Sequence, residues 1–252
     1  MNDSSPSRHY TITWRAAIAP MSKHMPLKNV WLMMVVSALT TVASAQSERL
    51  PEGRQGTYGV VLRAGPAFPV GEFSDLFATG FGGFVEVPYH LGEEFQVFIG
   101  LGGLFWNVDN EKVNQQYTTA GGAGTVNLDA PFRMIPLIVG INYVLSRGQL
   151  RPYLTLAFSV YFQKLETSGT ITLGNLITPL LPTTQTWSQG AFALGLGTEY
   201  QLNDTWAIDL NARFGAVIDY EARVLIGTGS NDVVTRAIRF FSLMGGISYT
   251  FR

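Results

Sequence analysis

Residues 206–215 read WAIDLNARFG. Trp206, Ile208, Leu210, Ala212 and Phe214 share one parity, and Ala207, Asp209, Asn211, Arg213 and Gly215 share the other. Side chains alternate across a strand, so this stretch presents one bulky apolar face and one small, polar or charged face. A helix would scatter both sets around its circumference.

The same two-faced pattern recurs at seven other places. Strand one covers about 57–68, with Tyr58, Val60, Leu62 and Ala64 opposite Gly59, Val61, Arg63 and Gly65. Strand two (about 79–91) sets Phe81, Val85, Val87, Tyr89 and Leu91 against Gly82, Phe84, Glu86 and His90. Strands three, four, five and six cover about 94–107, 131–146, 150–164 and 188–202, and strand eight about 236–251. Gly92-Glu93, Gly148-Gln149 and Asn203-Asp204 read as tight hairpin turns. Residues 69–78, 108–130, 166–187 and 218–235 read as long loops. Short turns at one end and long loops at the other are the pattern of an outer-membrane barrel, with the long loops extracellular.

The expectation is an all-β chain forming one eight-stranded antiparallel up-and-down transmembrane β-barrel, or ten strands if loop 108–130 or 166–187 adds a hairpin. Aromatic residues near strand ends form a candidate girdle: Tyr58, Tyr89, Phe95, Tyr143, Tyr200, Trp206, Tyr249 and Phe251. The smaller face carries charges of both signs, Arg63, Glu86, Glu199, Asp209 and Arg213. In a membrane barrel these five line the interior, where unpaired charge is costly, so a paired network is expected. A soluble lipocalin-like carrier is the competing architecture, with the bulky face turned into a core.

Composition agrees with a lipid-exposed face. Charged residues make up 14%, against the usual quarter, and apolar residues 46%. From Gln46 onward 13 Lys/Arg stand against 17 Asp/Glu, a balance of −4 with no basic stripe for nucleic acid. The absence of cysteine excludes disulfides and thiolate metal sites. Lys23 and Lys28 precede an apolar run over 30–45 that closes on Ala43-Ser44-Ala45. That is the layout of a signal peptide cut after Ala45, and the run is shorter than the ~20 residues of a spanning helix. Met21 and Met25 are alternative starts. The expected organisation is a doubtful extension over 1–24, a signal peptide over 25–45, a short periplasmic segment over 46–56 and a barrel over 57–252. With no folded domain after Arg252, a two-domain peptidoglycan-binding arrangement is not expected.

The stretch RAGPAFPVGEFSDLF over 63–77, followed by TGFGGFVEVPY over 79–89, resembles the first hairpin of the outer-membrane β-barrel domain family, the small OmpA/OmpX-like barrels. Arg151-Pro-Tyr-Leu resembles a mid-barrel strand start, and Ile247-Ser-Tyr-Thr-Phe the C-terminal strand signal of that family. Arg252 departs from the family's aromatic terminus. The resemblance implies outer-membrane lipid as surroundings and the barrel-assembly machinery as a partner in biogenesis. An extracellular ligand or surface partner would meet the loops.

Little chemistry competes with that reading. His90 is the one histidine after residue 45, at the turn end of strand two, and a general base needs a partner in reach. Asp109, Glu111 and Asp129 share one loop but lack the spacing of a calcium loop. Gly121-Gly-Ala-Gly124 lacks the lysine of a phosphate loop. Loop 166–187 is unusually apolar, with Leu173, Leu176, Ile177, Leu180 and Leu181, and exposed apolar patches usually mark contacts. No cofactor, metal site or catalytic residue is expected. The function expected is a structural or surface-interaction role in the outer membrane. A narrow pore is the first alternative and the soluble carrier the second.

Overall fold

The computed structural model describes residues 54–119, 122, 124–217 and 238–251. Nine strands are described: β1 Gly59–Val70, β2 Gly80–His90, β3 Phe95–Trp106, β4 Thr125–Asp129, β5 Phe132–Val144, β6 Leu150–Leu173, β7 Leu176–Gln201, β8 Trp206–Val217 and β9 Arg239–Thr250. One helix, α1, covers Asn110–Thr119, and a 3-10 turn covers Gly71–Asp75.

Eight of the strands form a closed antiparallel ring. Each of β1, β2, β3, β5, β6, β7, β8 and β9 pairs with the next, and β9 returns to β1 through pairs from Gly59↔Thr250 to Val70↔Arg239. Closure leaves the ring no sheet edge, which is what a strand-built membrane span requires. A 12-residue strand such as β8 is about 40 Å long, enough to cross the hydrocarbon core at the usual tilt.

The bulky parity points outward on all eight ring strands. Leu62, Val85, Ile99, Val139, Leu156, Leu194, Leu210 and Leu243 are exposed, while Arg63, Glu86, Phe98, Ile138, Tyr153, Asp209 and Ser242 are buried. This is the reverse of a carrier with a bulky apolar core. No helix among the described residues is long and apolar enough to cross a membrane.

The three tight turns stand as expected. Leu91 N–H donates to Phe95 O at 3.0 Å, Leu145 N–H to Pro152 O at 2.8 Å and Leu202 N–H to Trp206 O at 2.9 Å. In the last, Asn203 Oδ1 accepts from both Thr205 N–H and Trp206 N–H, an Asx turn.

Two of the expected loops are structured. Residues 166–187 are not a loop: β6 runs on to Leu173 and β7 starts at Leu176, joined by Gly174-Asn175 with Gly174 at φ 59°. The β6–β7 hairpin therefore extends eight residues beyond Leu165, the last partner of β5 on β6, or about 26 Å of strand. Residues 108–130 hold α1 and β4, and β4 pairs with the extension from Thr125↔Thr172 to Asp129↔Ser168. The count of membrane-crossing strands thus stays at eight, with a three-stranded arm added at the loop end. Loop 69–78 carries the 3-10 turn. Residues 1–53 and 218–237, and with them the signal peptide and the last long loop, lie outside the described residues, as does Gly121.

Helix α1 closes the outer edge of β4 with two asparagines one turn apart. Asn110 Nδ2 donates to Leu128 O at 3.0 Å and its Oδ1 accepts from Leu128 N–H at 2.7 Å. Asn114 does the same for Val126, at 2.7 and 2.6 Å. The carboxamides copy the hydrogen bonds of a further strand and leave no template for edge pairing there. Val113, Val126 and Leu128 form a small core beneath them.

Candidate functional site

The interior falls into three layers. In the middle, four of the five expected charges meet. The Arg63 guanidinium donates to the Asp209 and Glu86 carboxylates, and Arg213 donates to Glu86 through Nη1 at 2.5 Å and Nη2 at 3.0 Å. Tyr153, on β6, completes the cluster: its hydroxyl donates to Asp209 at 2.8 Å and accepts from Arg63 and from Asn211 at 3.2 and 3.1 Å. Arg213 also lies over the Phe98 ring, 5.3 Å from its centroid. Two cations and two anions balance, and their branched hydrogen bonding offsets the desolvation that burial imposes.

Glycines make room for these side chains. A Cβ at Gly100 would stand 2.7 Å from Glu86 Cγ, one at Gly195 2.8 Å from Arg213 Cγ and one at Gly246 2.9 Å from Arg63 Cγ. Each long charged side chain therefore lies across a glycine of the neighbouring strand.

Glu199 does not join this cluster. It pairs with Arg54, which precedes β1, at 3.1 Å, in a second layer at the turn end. Arg151 is buried beside them, with Nη2 3.5 Å from Glu93 O. With the Gln201 amide turned so that its oxygen faces the arginines, it accepts from Arg54 at 2.7 Å and Arg151 at 3.2 Å. Neither Arg54 nor Arg151 was among the expected interior charges: Arg54 lies outside the alternating segments, and Arg151 stands at the first residues of strand five. Alongside, Gln96 lies 3.0 Å from His90 Nε2, and Asn142 links Gln96 to Thr155.

The third layer, toward the loop end, is mainly apolar, with Gln163 buried opposite Met134 as a polar member. Leu104, Trp106, Phe132, Met134, Tyr161, Phe240 and Met244 are buried together, and Phe73 of the 3-10 turn drops onto Trp106 at a centroid distance of 5.3 Å. Trp106 Nε1 finds Ala67 O at 3.0 Å. Between this layer and the charge cluster, a void bounded by Phe84, Tyr161, Arg213, Phe240 and Ser242 has a volume of about 10 Å³, at most the space of one water molecule.

Above the ring, the arm turns Leu176, Ile177 and Leu181 outward, with exposures of 62, 65 and 87%.

The family described as "Outer membrane protein beta-barrel domain" matches residues 33–251. The chain belongs to this family. No curated protein matches the sequence. Among solved structures, Neisserial surface protein A is 13% identical with a TM-score of 0.46, over 77% of this chain and 97% of that one. Ail of Yersinia pestis, solved with the heparin analogue sucrose octasulfate, is 12% identical with a TM-score of 0.46, over 78% of this chain and 99% of that one. OprG of Pseudomonas aeruginosa is 10% identical with a TM-score of 0.45, over 79 and 98%. Likeness at that level carries no functional argument.

As an outer membrane β-barrel, the protein resides in the outer membrane with its apolar face in lipid. The eight aromatic residues picked out near strand ends all lie at the short-turn end. Tyr58 stacks on Phe251 at 5.0 Å, Phe95 meets Tyr143 at 5.1 Å, and Trp206 meets Tyr249 at 4.8 Å. Tyr89 bridges to Tyr58, and the Tyr200 hydroxyl lies 3.2 Å from Gln149 Nε2. The remaining candidates disperse. His90 is buried, with Nδ1 near the Thr57 hydroxyl and carbonyl. Asp109 pairs with Lys112 at 3.2 Å. Among the described residues, no three His, Cys, Asp or Glu side chains gather as a metal site.

Proposed function

We propose that this protein is a closed, non-enzymatic outer-membrane barrel that acts through its extracellular surface, with the β4–β6–β7 arm as the contact element. The observation that carries this is the pairing of a filled interior with an outward-turned apolar arm. Leu176, Ile177 and Leu181 sit at the tip of a rigid hairpin, whereas soluble surfaces rarely hold large apolar side chains so exposed and so close together. The arm is stiffened by its own small core and by the Asn110 and Asn114 amides.

The interior supports closure. Ion passage would need a continuous wet path, and the packed layer around Trp106 and Phe132 is filled mainly by aromatic and aliphatic side chains, with Gln163 and the Tyr161 hydroxyl as its polar groups. The polar layers at the turn end favour a pore only as far as Arg213. His90, the one histidine after residue 45, is buried and hydrogen-bonded at the turn end, which speaks against its use as a catalytic base. The aromatic set around Tyr58, Trp206 and Phe251 is read as the girdle at the periplasmic interface. Strand β9, which ends at Thr250 just before Phe251, is read as the segment presented to the barrel-assembly machinery.

The test is adherence of cells displaying the wild-type protein or a variant with Leu176, Ile177 and Leu181 all replaced by Ser. Equal surface levels with reduced attachment to protein-coated surfaces is the expected result. Unchanged attachment removes the arm from the function.

A further inference from the structure

Above the apolar belt, the outward face of most ring strands continues into aromatic residues: Phe68 on β1, Phe81 on β2, Phe105 on β3, Phe214 on β8 and Phe241 on β9 are all exposed. On β5 and β6 cations follow directly on the last outward apolar residues. Toward the loop end those residues are Ile135 and Phe162, and the next outward residues are Arg133 and Lys164. These two cations are direct register partners. Like charges placed directly opposite on one face of a sheet repel, their Cβ atoms being only about 5 Å apart. Lys164 has Glu166 as an ion-pair partner. Arg133 has no ion pair among the described residues but lies within electrostatic reach of Glu166, so two cations share one carboxylate and the group keeps a net positive charge. A second anion lying over both cations would balance the group.

The surface beside the pair is shaped for one. A groove of about 400 Å³ is lined by Ile135, Phe162, Lys164, Thr186, Trp187 and Ser188. Thr186 and Ser188 are exposed, and Lys164↔Thr186 and Phe162↔Ser188 are register pairs, so two hydroxyl-bearing residues of β7 stand on the outward face beside Lys164. One row lower, Val160 pairs with Gly190, which has no side chain and leaves a trough leading down into the belt between Phe158, Phe162 and Phe192. Cations and hydroxyls stand at headgroup height, with an apolar trough beneath them. A purely water-soluble anion would have no use for the trough.

We propose that Arg133, Lys164, Thr186 and Ser188 form a site for a phosphomonoester-bearing lipid of the outer leaflet. The phosphate spans the two cations and an acyl chain lies over Val160 and Gly190. Two basic side chains facing an anionic lipid headgroup are together worth on the order of tenfold or more in affinity.

The test uses the full chain folded into phosphatidylcholine nanodiscs, with phosphatidic acid as the probe and native mass spectrometry to count retained lipids. Wild-type protein is expected to retain phosphatidic acid over phosphatidylcholine. R133Q/K164Q is expected to lose retention by on the order of tenfold, and R239Q, which removes an exposed rim cation on β9, to keep it. The exchange variant R133K/K164R preserves both charges and retains the lipid, which keeps the proposal testable if R133Q/K164Q fails the boiling-shift check for a folded barrel. Equal retention by R133Q/K164Q and wild type overturns the proposal. So does displacement by equimolar inorganic phosphate, which would make the site one for the free anion.

Discussion

Glu199 and Asp209 are register partners on β7 and β8, both buried, yet their carboxylates serve different arginines. Asp209 takes Arg63 in the middle of the barrel, and Glu199 takes Arg54 at the turn end. Two carboxylates directly opposite would repel if left unpaired. The division of partners resolves that conflict and splits the interior charge into two groups.

Removing one member of the middle group should therefore be severe. Arg63→Ala leaves Glu86 with Arg213 alone and Asp209 with Tyr153 alone, and breaking a buried ion pair from one side typically destabilises by about 3–5 kcal/mol. Urea unfolding in lipid vesicles should show that loss. Arg54→Ala, at the edge of the barrel, should cost less.

The glycines beneath the charged side chains are the next test. Gly100→Val would force Glu86 from its position, an overpacking of the kind that destabilises by roughly 1–3 kcal/mol. At Gly245, which faces outward, the nearest atom to a new Cβ is Leu210 Cδ2 at 3.7 Å. Gly245→Ala should fold with wild-type stability, and the contrast can be read from the midpoints of urea titrations.

The arm depends on the asparagine ladder. Asn114→Leu removes both bonds to the Val126 backbone and leaves its N–H and C=O without those partners, a loss of about 1–3 kcal/mol if they stay dry. Hydrogen exchange should speed up at Val126 and its neighbours in β4. Exchange in the ring strands should not change.

The eight ring strands were legible because a barrel in lipid needs one face apolar throughout, and period-two alternation reports that directly. Arg63, Glu86, Asp209 and Arg213 were legible for the same reason, as charges on the minority face. Glu199 shares their parity and stands opposite Asp209, but parity does not say which arginine a carboxylate turns to. Its partner Arg54 lies before β1, where no alternation marks it. The arm was hidden by Pro179 and Pro182, which read as loop residues. Among the described residues β7 pairs with β8 only from Ala191 onward, so these prolines sit on a stretch where one side of the strand forms no ladder. Gly174-Asn175 between Thr/Ile/Leu runs was the available hairpin signal. The Asn110 and Asn114 spacing of one helical turn had no reading without knowing that β4 lies beneath it.

Filling the upper interior with aromatic side chains has its own consequence. Trp106 packs on Phe73 and Phe240 at centroid distances of 5.3 and 5.4 Å and holds Ala67 O. Trp106→Ala should destabilise the barrel by about 3–5 kcal/mol, and the vacated space would open the packed layer that stands between the loop end and the charge cluster.

Planar-bilayer recording tests the closed interior most directly. Wild-type protein inserted from detergent should give no discrete conductance steps, and Trp106→Ala should raise the frequency of openings. Ohmic steps from the wild-type protein that change with Arg63→Ala or Glu86→Gln would contradict the closed barrel and make the charge cluster part of a pore.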